Sequence, residues 1–352
     1  MLYLRRMNIA RTCLLAIALL ATPGAGRGWG NDGHLLILDS ALAVLPDAVR
    51  RIYAPGADRI RTYAVEPDRH SVVPAEGSRH YIDIELLDPA FMSGLVKELA
   101  KDGSAQGLAD EDARGIAISF ERGFFSRRPP PWSANETGRL WESLPPDLPA
   151  FRSAYPGMET IVGTVVYQPF LYTRALARAI REGDRQWILI YAGLLAHYTG
   201  DLFVPLHATI DYKGQYSGNL TFNDGKNGRG DVHSRFETAF VRHRLDSLRT
   251  ANAARRREPK TIALAGITPA AINAGSVSYA LIDPILASDR KAAAKFDPAR
   301  AWARYATEVG PVFEPALIDR ISLASNMLAD LLLTAATVNL DTPEASGKIG
   351  ER

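Results

Sequence analysis

The sequence is almost without cysteine: Cys13 is the only one among its 352 residues. A single cysteine forms no disulfide within the chain, which excludes the class of small secreted proteins that disulfides hold together. Cys13 also lies in a segment that we expect to be removed from the mature protein. Any metal site in the mature chain must therefore use His, Asp, Glu or the amino terminus, a donor set that favours zinc or another ion that binds nitrogen and oxygen.

The chain also lacks a strong excess of charge of either sign. It has 41 basic and 39 acidic residues and no polybasic tract. Loss of residues 1–28 removes four arginines and no acid, which leaves 37 basic and 39 acidic residues and a formal charge of −2. Strong non-specific attraction to nucleic acid or to anionic lipid is therefore not expected.

Residues 1–28 have the pattern of a secretory signal peptide. Three arginines precede an apolar run over 13–21, and small residues follow up to Gly28. The apolar run is too short for a membrane span. We therefore predict cleavage near Gly28, a secreted or periplasmic protein, and no transmembrane span in the mature chain.

The segment with the strongest helical pattern covers residues 187–207 and reads WILIYAGLLAHYTGDLFVPLH. Its apolar side chains recur at steps of three and four residues, which predicts a helix with one apolar face. Pro205 ends this helix because proline lacks an N–H and disfavours helix at the residue before it. The predicted apolar face consists of Trp187, Tyr191, Leu194, Leu195 and Tyr198.

His197 and Asp201 are four residues apart on this helix, and His207 follows its end at once. Side chains four apart leave the same face of a helix about one turn from each other. Two imidazoles and a carboxylate in this arrangement are typical of a metal site. A core helix whose polar groups pair internally explains His197 and Asp201 equally well, so this pair alone does not decide between the two interpretations.

Two earlier segments carry the same types of residue. WGNDGHLLILDSALAVLP begins at Trp29 and predicts a helix that Asn31 or Asp32 caps, with His34 in its first turn. RTYAVEPDRH predicts a polar loop that carries Asp68. Each of these side chains alone has an ordinary structural explanation, a hydrophobic anchor for Trp29 and a solvated carboxylate for Asp68.

Two further segments complete the set of candidate ligands. SRHYIDIELLD contains His80 and a short alternation that favours an extended segment. Gly, Asn and Asp dominate residues 214–231, which predicts a loop. Asp231 then caps a helix on which His233 and Glu237 are again four apart.

The rest of the chain is mostly helical by its pattern. The proline-rich segment 129–156 predicts an ordered loop or a lid, because consecutive prolines do not fit inside a helix. No convincing series of strands appears, so we predict one all-α, multi-helix domain over 29–340 with long irregular loops, and a flexible tail over 341–352. The further predicted helices cover 108–121, 161–181, 277–288, 298–309 and 314–339.

Together the candidate ligands follow the pattern Trp-x4-His, Asp-x11-His, His-x3-Asp-x5-His and His-x3-Glu. This pattern closely resembles that of the zinc-dependent phospholipase C and single-strand-specific zinc nuclease superfamily, in the same order over most of residues 29–240. The resemblance implies the helical fold of that superfamily and three zinc ions. The implied ligands are Asp68, His80, His197 and Asp201 for one zinc, the amine and carbonyl of Trp29 with His34 and a bridging Asp201 for the second, and His207, His233 and Glu237 for the third.

The resemblance also implies an activity. It indicates a hydrolase of phosphoric ester bonds in which a metal-activated hydroxide attacks phosphorus, with Asp68 as a catalytic group that orients or deprotonates the water. The substrate would be single-stranded nucleic acid or a phospholipid, and no obligate protein partner is evident. His70 and His243 fall outside the pattern, and we predict surface positions for both.

Two branches of the superfamily share these ligands. The motifs Trp-Gly-x-x-Gly-His, HYIDIE and Gly218-Asn219 resemble the nuclease branch, and they imply substrate contacts at Tyr81, which would stack on a base, at Asp83, which would bind its edge, and at Asn219. Glu237, within HSRFET, resembles phospholipase C, since nucleases usually carry Asp there. A nuclease is our first hypothesis, a phospholipase C the second, and a non-catalytic zinc-binding protein on the same scaffold the third.

Overall fold

Helices dominate the part of the chain that the computed structural model describes, which is residues 29–88, 134–223, 227–338 and 340. No strand occurs among these residues, and they form one isolated bridge, between Ile82 and Gly163. The all-α prediction is therefore confirmed for the described residues. The predicted signal peptide, helix and tail at 1–28, 108–121 and 341–352 lie outside them.

The α-helices vary from single turns to one of 36 residues. Short 3-10 helices cover Ala54–Gly56, Ile84–Leu87, Val165–Tyr167 and Pro205–Ala208, and a π-helix covers Arg235–Phe240. In chain order the α-helices are α1 (Gly30–Val44), α2 (Asp47–Tyr53), α3 (Ala57–Val65), α4 (Pro67–His70), α5 (Pro74–Gly77), α6 (Ala134–Glu142), α7 (Leu148–Ala154), α8 (Glu159–Val162), α9 (Gln168–Glu182), α10 (Arg185–Leu202), α11 (Val232–Ser234), α12 (Val241–His243), α13 (Leu245–Ala254), α14 (Leu264–Tyr279), α15 (Ile282–Ala293) and α16 (Trp302–Thr337).

Helix α10 lies at the centre of the core, where it packs against α3, α9 and α16. Every residue from Leu195 to Leu202 is buried, so this half of the helix has no solvent-facing side. The predicted apolar face is correct at Leu195 and Tyr198, but it is wrong at its start. Trp187 is 45% exposed and stacks on Tyr191 with ring centroids 5.0 Å apart, because the first turns of α10 lie at the edge of the core.

The two helices predicted over 298–309 and 314–339 are a single helix, α16. Pro311 and Pro315 lie inside it, and a proline in a helix interior costs about 3 kcal/mol. Both prolines are exposed, whereas the opposite face buries large side chains such as Phe313. Burial of that continuous apolar face offsets the lost backbone hydrogen bonds, so the helix passes through both prolines.

The helix predicted over 277–288 is wrong, because a break divides it. Helix α14 ends at Tyr279 and α15 begins at Ile282. Pro284 lies in the first turn of α15. Backbone N–H groups in the first turn of a helix have no acceptor within that helix, so a proline there loses no hydrogen bond. The proline thus marks the start of a new helix.

The helix predicted over 161–181 begins only at Gln168. Gly163, with φ of 87°, interrupts it and pairs with Ile82 across the bridge. A Cβ at Gly163 would lie 2.1 Å from the carbonyl oxygen of Tyr81, so this close approach requires glycine.

Segments predicted as irregular or extended contain more helix than expected. The extended segment predicted after His80 is wrong, since it reduces to the Ile82 bridge and is followed by the 3-10 helix. Asp68 lies in α4 rather than in a loop, because Pro67 favours a first helical turn. The proline-rich segment 129–156 contains α6 and α7, with its first five residues outside the described part. Its described prolines separate and begin these helices.

The start of α1 also differs from the prediction. Neither Asn31 nor Asp32 is its cap, since α1 begins at Gly30 after the buried Trp29. Asp32 lies instead in the first turn, where a carboxylate interacts favourably with the helix dipole. The loop predicted over 214–231 is confirmed at its described residues.

One stretch of the described residues, Leu264–Ala293, is long and apolar enough to cross a membrane by length and composition alone. This is weak evidence for a span, because core helices of soluble proteins pass the same test. The stretch also contains the break between α14 and α15. The absence of a transmembrane span therefore stays a prediction.

Candidate metal centre

The last turns of α10 supply the central carboxylate. His197 and Asp201 leave this helix one turn apart, and both are completely buried. The helix ends at Leu202, close to the predicted end, and Pro205 opens the next 3-10 helix. That turn brings His207 back to the same buried region.

Distant parts of the chain bring the other candidate ligands to this helix end. Four of them lie in helices: one each in α1, α4 and α11, and one in the π-helix. The fifth, His80, lies two residues before the Ile82 bridge. All of them are buried: His34, Asp68, His80, His233 and Glu237.

The first group of ligand atoms consists of side chains from Asp68, His80, His197 and Asp201. Nδ1 of His80 and Nε2 of His197 lie 3.1 Å apart, and they lie 2.9 and 3.1 Å from Oδ2 of Asp201. Oδ1 of Asp68 lies 3.8 Å from each of these two nitrogens. Tetrahedral ligands at ordinary bond lengths to a metal ion are about 3.3–3.6 Å apart. The five distances lie on both sides of this range, and Asp68, His80 and His197 form one group that could hold an ion, with Oδ2 of Asp201 beside its two imidazoles.

The second group uses the other oxygen of Asp201. Oδ1 lies 3.4 Å from Nε2 of His34, whose ring stacks on His197 with centroids 4.3 Å apart. The ligand atoms of His34, His197 and Asp201 all lie within 4.8 Å of one another. Asp201 thus presents one oxygen to each group, which is the geometry of a bridging carboxylate.

Trp29 lies beside this second group and is completely buried. Its indole Nε1 donates a hydrogen bond to the carbonyl oxygen of Gly200 at 2.7 Å. A Cβ at Gly200 would lie 2.8 Å from Nδ1 of His34 and 3.3 Å from Cδ1 of Trp29. Glycine therefore permits the close packing of α10 on both residues. The role of the Trp29 amine as a ligand stays a prediction.

The third group consists of His207, His233 and Glu237. Oε2 of Glu237 lies 2.8 Å from Nε2 of His233 and 3.5 Å from Nε2 of His207. His233 and Glu237, which are four residues apart, stay in contact although Glu237 lies in a π-helix. Asp231 caps the preceding helix with its side chain, as predicted.

A buried ion pair anchors the π-helix. Nε and Nη2 of Arg235 donate to the two carboxylate oxygens of Asp289, at 2.7 Å each, and Nη1 donates to the carbonyl oxygen of Gly230 at 2.7 Å. The hydroxyl of Tyr305 donates to the same carboxylate. Sequence reasoning missed this pair, whose only signal is an arginine midway between the ligands at 233 and 237.

Backbone carbonyls fix two of the imidazoles. Nδ1 of His197 donates to the carbonyl oxygen of Ala64 at 2.8 Å, and Nδ1 of His207 donates to that of His80 at 2.7 Å. Because Nδ1 carries the proton in both rings, the lone pair is on Nε2, the atom that faces the other ligands.

Several buried polar atoms at these groups have no hydrogen-bond partner among the described residues. A buried unpaired donor or acceptor costs about 1–3 kcal/mol, so a cluster of them indicates that another ligand satisfies them. A cation fits this donor set, because imidazole nitrogens and carboxylate oxygens converge. The atoms are both ring nitrogens of His34, both carboxylate oxygens of Asp201, Nε2 of His233 and Oε2 of Glu237.

Burial and nearby charges give the groups different protonation states. Burial opposes ionisation of Asp201, but His197 and His207 hold the pKa of its carboxyl well below the usual range. Burial raises the pKa of Glu237 well above its usual range and lowers that of His233. Burial thus disfavours charge on both side chains, and a cation bound between them would favour the ionised form of Glu237.

The residues predicted to contact substrate all have contacts within the protein. Tyr81 is half-buried, and its hydroxyl donates to the carbonyl oxygen of Thr160 at 3.4 Å. Burial, together with the nearby Glu85, raises the pKa of Asp83 well above its usual range. The amide nitrogen of Asn219 donates to Asp289 at 2.6 Å, whereas its Oδ1 has no partner among the described residues. Their roles towards a substrate stay predictions.

The predicted surface positions of His70 and His243 are confirmed, since both side chains are exposed. Comparisons with known proteins add no assignment: no protein-family model matches the sequence, and no curated protein matches it significantly. The geometry of the three groups is therefore the main structural guide to function.

Proposed function

We propose that the protein is a secreted, trinuclear zinc hydrolase of phosphodiester bonds whose substrate is single-stranded nucleic acid. One observation carries the metal part of this proposal: the two oxygens of Asp201 face different histidines, and neither has a hydrogen-bond partner among the described residues. A carboxylate in this position would be able to hold two cations, one at each oxygen, which would account for both facts.

The donor set favours zinc. Every group combines imidazole with carboxylate, and no thiolate belongs to the mature chain. Such mixed sites with buried ligands are typical of zinc in hydrolases. The ligands proposed for the three ions are those that the superfamily resemblance implies, with the amine of Trp29 exposed to the second ion only after residues 1–28 are removed.

The protein positions the reaction through these side chains. Zinc bound at such sites lowers the pKa of a coordinated water to about 7 and stabilises negative charge on phosphoryl oxygens. Asp201 holds the first two groups close together, since its two oxygens are fixed to one carboxyl carbon. Asp68 is the proposed catalytic carboxylate: Oδ1 belongs to the first group, and the other oxygen accepts a proton from the attacking water or orients it.

The nuclease branch receives support from the residues that follow His80. Tyr81 offers an aromatic face next to a metal ligand, as base-stacking platforms do. Asp83 follows Tyr81 by two residues in the same short segment, and a carboxyl group can hydrogen-bond the edge of a base.

A second candidate is a phospholipase C on phospholipid head groups. Glu237 favours it, because this residue resembles the phospholipase pattern and its longer side chain reaches both His207 and His233. A non-catalytic zinc protein on the same scaffold is the third candidate, and only activity measurements distinguish it.

Metal analysis and paired assays test the proposal. The mature protein, with Trp29 as its first residue, is expected to contain close to three zinc ions per chain. It is expected to cleave single-stranded DNA or RNA faster than phosphatidylcholine vesicles. Asp201→Asn, which weakens the bridge while keeping the size of the side chain, should lose zinc and activity together.

Each contrary result removes a defined part of the proposal. One zinc or none per chain would remove the hydrolase itself. Faster cleavage of phosphatidylcholine would transfer the assignment to phospholipase C. Three zinc ions without cleavage of either substrate would favour the non-catalytic protein.

A further inference from the structure

A carboxylate outside the three groups faces one of the ligands from behind. Glu76, on helix α5, is four residues before His80. Its Oε1 lies 3.6 Å from Nε2 of His80, the ring nitrogen that points away from the first group. The side chain of Glu76 is 18% exposed, and that of His80 is 5% exposed.

Other side chains hold this carboxylate in place. The hydroxyl of Tyr198 donates to Oε1 of Glu76, and Nη1 of Arg79 donates to Oε2 at 3.1 Å. Arg79 also donates to the hydroxyl of Tyr172, whose ring stacks on Tyr198 with centroids 5.2 Å apart. These contacts orient the carboxylate of Glu76 towards Nε2 of His80.

The position of His80 leaves one role for each of its nitrogens. Nδ1 lies among Asp68, His197 and Asp201, where a cation would need its lone pair. The proton of the neutral ring would then be on Nε2, the atom that faces Glu76.

We propose that Glu76 is a positioning residue that keeps the proton on Nε2 of His80 and aims Nδ1 at the metal ion of the first group. The inference rests on the metal binding in the proposed function. Glu76 contacts neither the ion nor the substrate; it acts through the ring of His80.

The contact also reaches the third group. The carbonyl oxygen of His80 accepts the hydrogen bond that fixes His207. His80 therefore connects two groups: its ring, which faces Glu76, belongs to the first group, and its backbone carbonyl orients His207 of the third. His197, by contrast, depends on the carbonyl of Ala64, which carries no net charge.

The experiment compares zinc retention in wild-type protein, Glu76→Gln and Glu66→Gln. Glu66 is the matched control, because it stands four residues before His70 in the same Glu-x-x-Arg-His pattern, and His70 is exposed and lies outside the three groups. Purified holoenzyme is dialysed against buffers of graded free zinc, and bound zinc is measured by mass spectrometry. Loss of a residue that hydrogen-bonds to a metal-binding histidine typically weakens metal binding 10- to 100-fold.

Glu76→Gln is expected to release one zinc per chain at a free zinc concentration about 10- to 100-fold higher than the wild type does. Glu66→Gln is expected to follow the wild-type curve. Thermal unfolding of the metal-free proteins checks that the substitution itself leaves the fold intact. A Glu76→Gln protein that folds and retains three zinc ions like the wild type would overturn the inference.

A spectroscopic measurement keeps the inference testable if Glu76→Gln folds poorly. In protein labelled with nitrogen-15 histidine, His80 of the wild type should show a protonated Nε2 and a metal-bound Nδ1. Tyr198→Phe, which removes one hydrogen bond to Glu76, should shift the Nε2 signal while the signal of His70 stays unchanged. Metal bound through Nε2 of His80 would overturn the inference.

Failure of this inference is distinguishable from failure of the proposed function. Wild-type protein that binds three zinc ions but does not depend on Glu76 contradicts the inference alone. Wild-type protein that binds zinc, depends on Glu76 and cleaves no phosphodiester contradicts the proposed activity alone. Wild-type protein that binds no zinc overturns both.

Discussion

The pattern Glu-x-x-Arg-His occurs twice, ten residues apart, at 66–70 and 76–80. In both copies the glutamate contacts the arginine, at 2.7 and 3.1 Å, and faces the histidine, at 3.3 and 3.6 Å. The side chain of His70 is 63% exposed, whereas that of His80 is 5% exposed. The same local geometry is thus a surface ion pair in one copy and part of a candidate metal centre in the other.

The difference comes from what packs on each copy. The ring of His80 lies 4.8 and 5.5 Å from those of His197 and Tyr198, both on α10. No aromatic ring contact is seen for His70 among the described residues. Burial removes the screening by water that makes surface pairs weak, so the charges of the second copy influence their neighbours more strongly.

Substitution of the two histidines should give the largest contrast. His80→Ala is expected to lower kcat/KM by about 10³-fold, because it removes a ligand from the charge-stabilising site. His70→Ala should stay within about twofold of the wild type. Steady-state assays on single-stranded nucleic acid, with zinc content measured in parallel, test this. Equal losses in the two variants would break the comparison.

The next largest effect is expected from the pH dependence of folding at another buried carboxylate, Glu85. Burial raises its pKa to about 7, although hydrogen bonds from Thr209 and Tyr279 oppose the shift. An acid whose pKa is raised on folding stabilises the protein below its unfolded pKa of 4.5, and this stability is lost as pH rises through 7. The change amounts to about 3 kcal/mol.

Glu85→Gln should therefore remove this slope in the free energy of unfolding, measured with denaturant at pH values from 5 to 8. The partly exposed Glu66 provides the contrast, since Glu66→Gln should leave the slope as in the wild type. An unchanged slope in Glu85→Gln would show that its carboxyl does not titrate in this range.

An additional residue before Trp29 should have a smaller effect on activity. It would move the free amine away from the second group, beside His34, and we expect about a tenfold loss in kcat/KM, since small misplacements of this kind are costly. Proteins with and without one extra alanine are to be compared for activity and bound zinc. Full activity of the extended protein would show that the amine of Trp29 is not a ligand.

The smallest effect is expected at the exposed copy. Glu66→Gln breaks contacts with Arg69 and His70 whose side chains are mostly in water. It should change the free energy of unfolding by less than about 0.5 kcal/mol, as is usual for surface ion pairs. Thermal or denaturant unfolding measures this, and a loss above about 1 kcal/mol would mean that the first copy also has a structural role.

Much of the candidate site could be predicted from local sequence. The pairs His197–Asp201 and His233–Glu237 are each four residues apart, and the structure keeps both in contact, at 3.1 and 2.8 Å. Asp231 could be recognised as a cap from its position before a helical pattern. Such features depend on a few neighbouring residues and on helix geometry.

Helix boundaries were harder to predict because packing overrides local signals. Pro311 lies inside α16, where burial of the opposite face compensates for it. Gly163 breaks a periodic segment because its backbone approaches Tyr81, which is distant in the sequence. Neither outcome is visible in a window of adjacent residues.

The sequence by itself determined which side chains share a helix face, since a helix rise of about 1.5 Å per residue brings residues four apart together wherever the helix lies. It also determined the types of donor available. Only the tertiary structure decided that Asp201 faces His34 and His80 at once, and that His80 is buried while His70 is not. Those contacts arise from the packing of helices far apart in the chain, and burial is a property of the whole core.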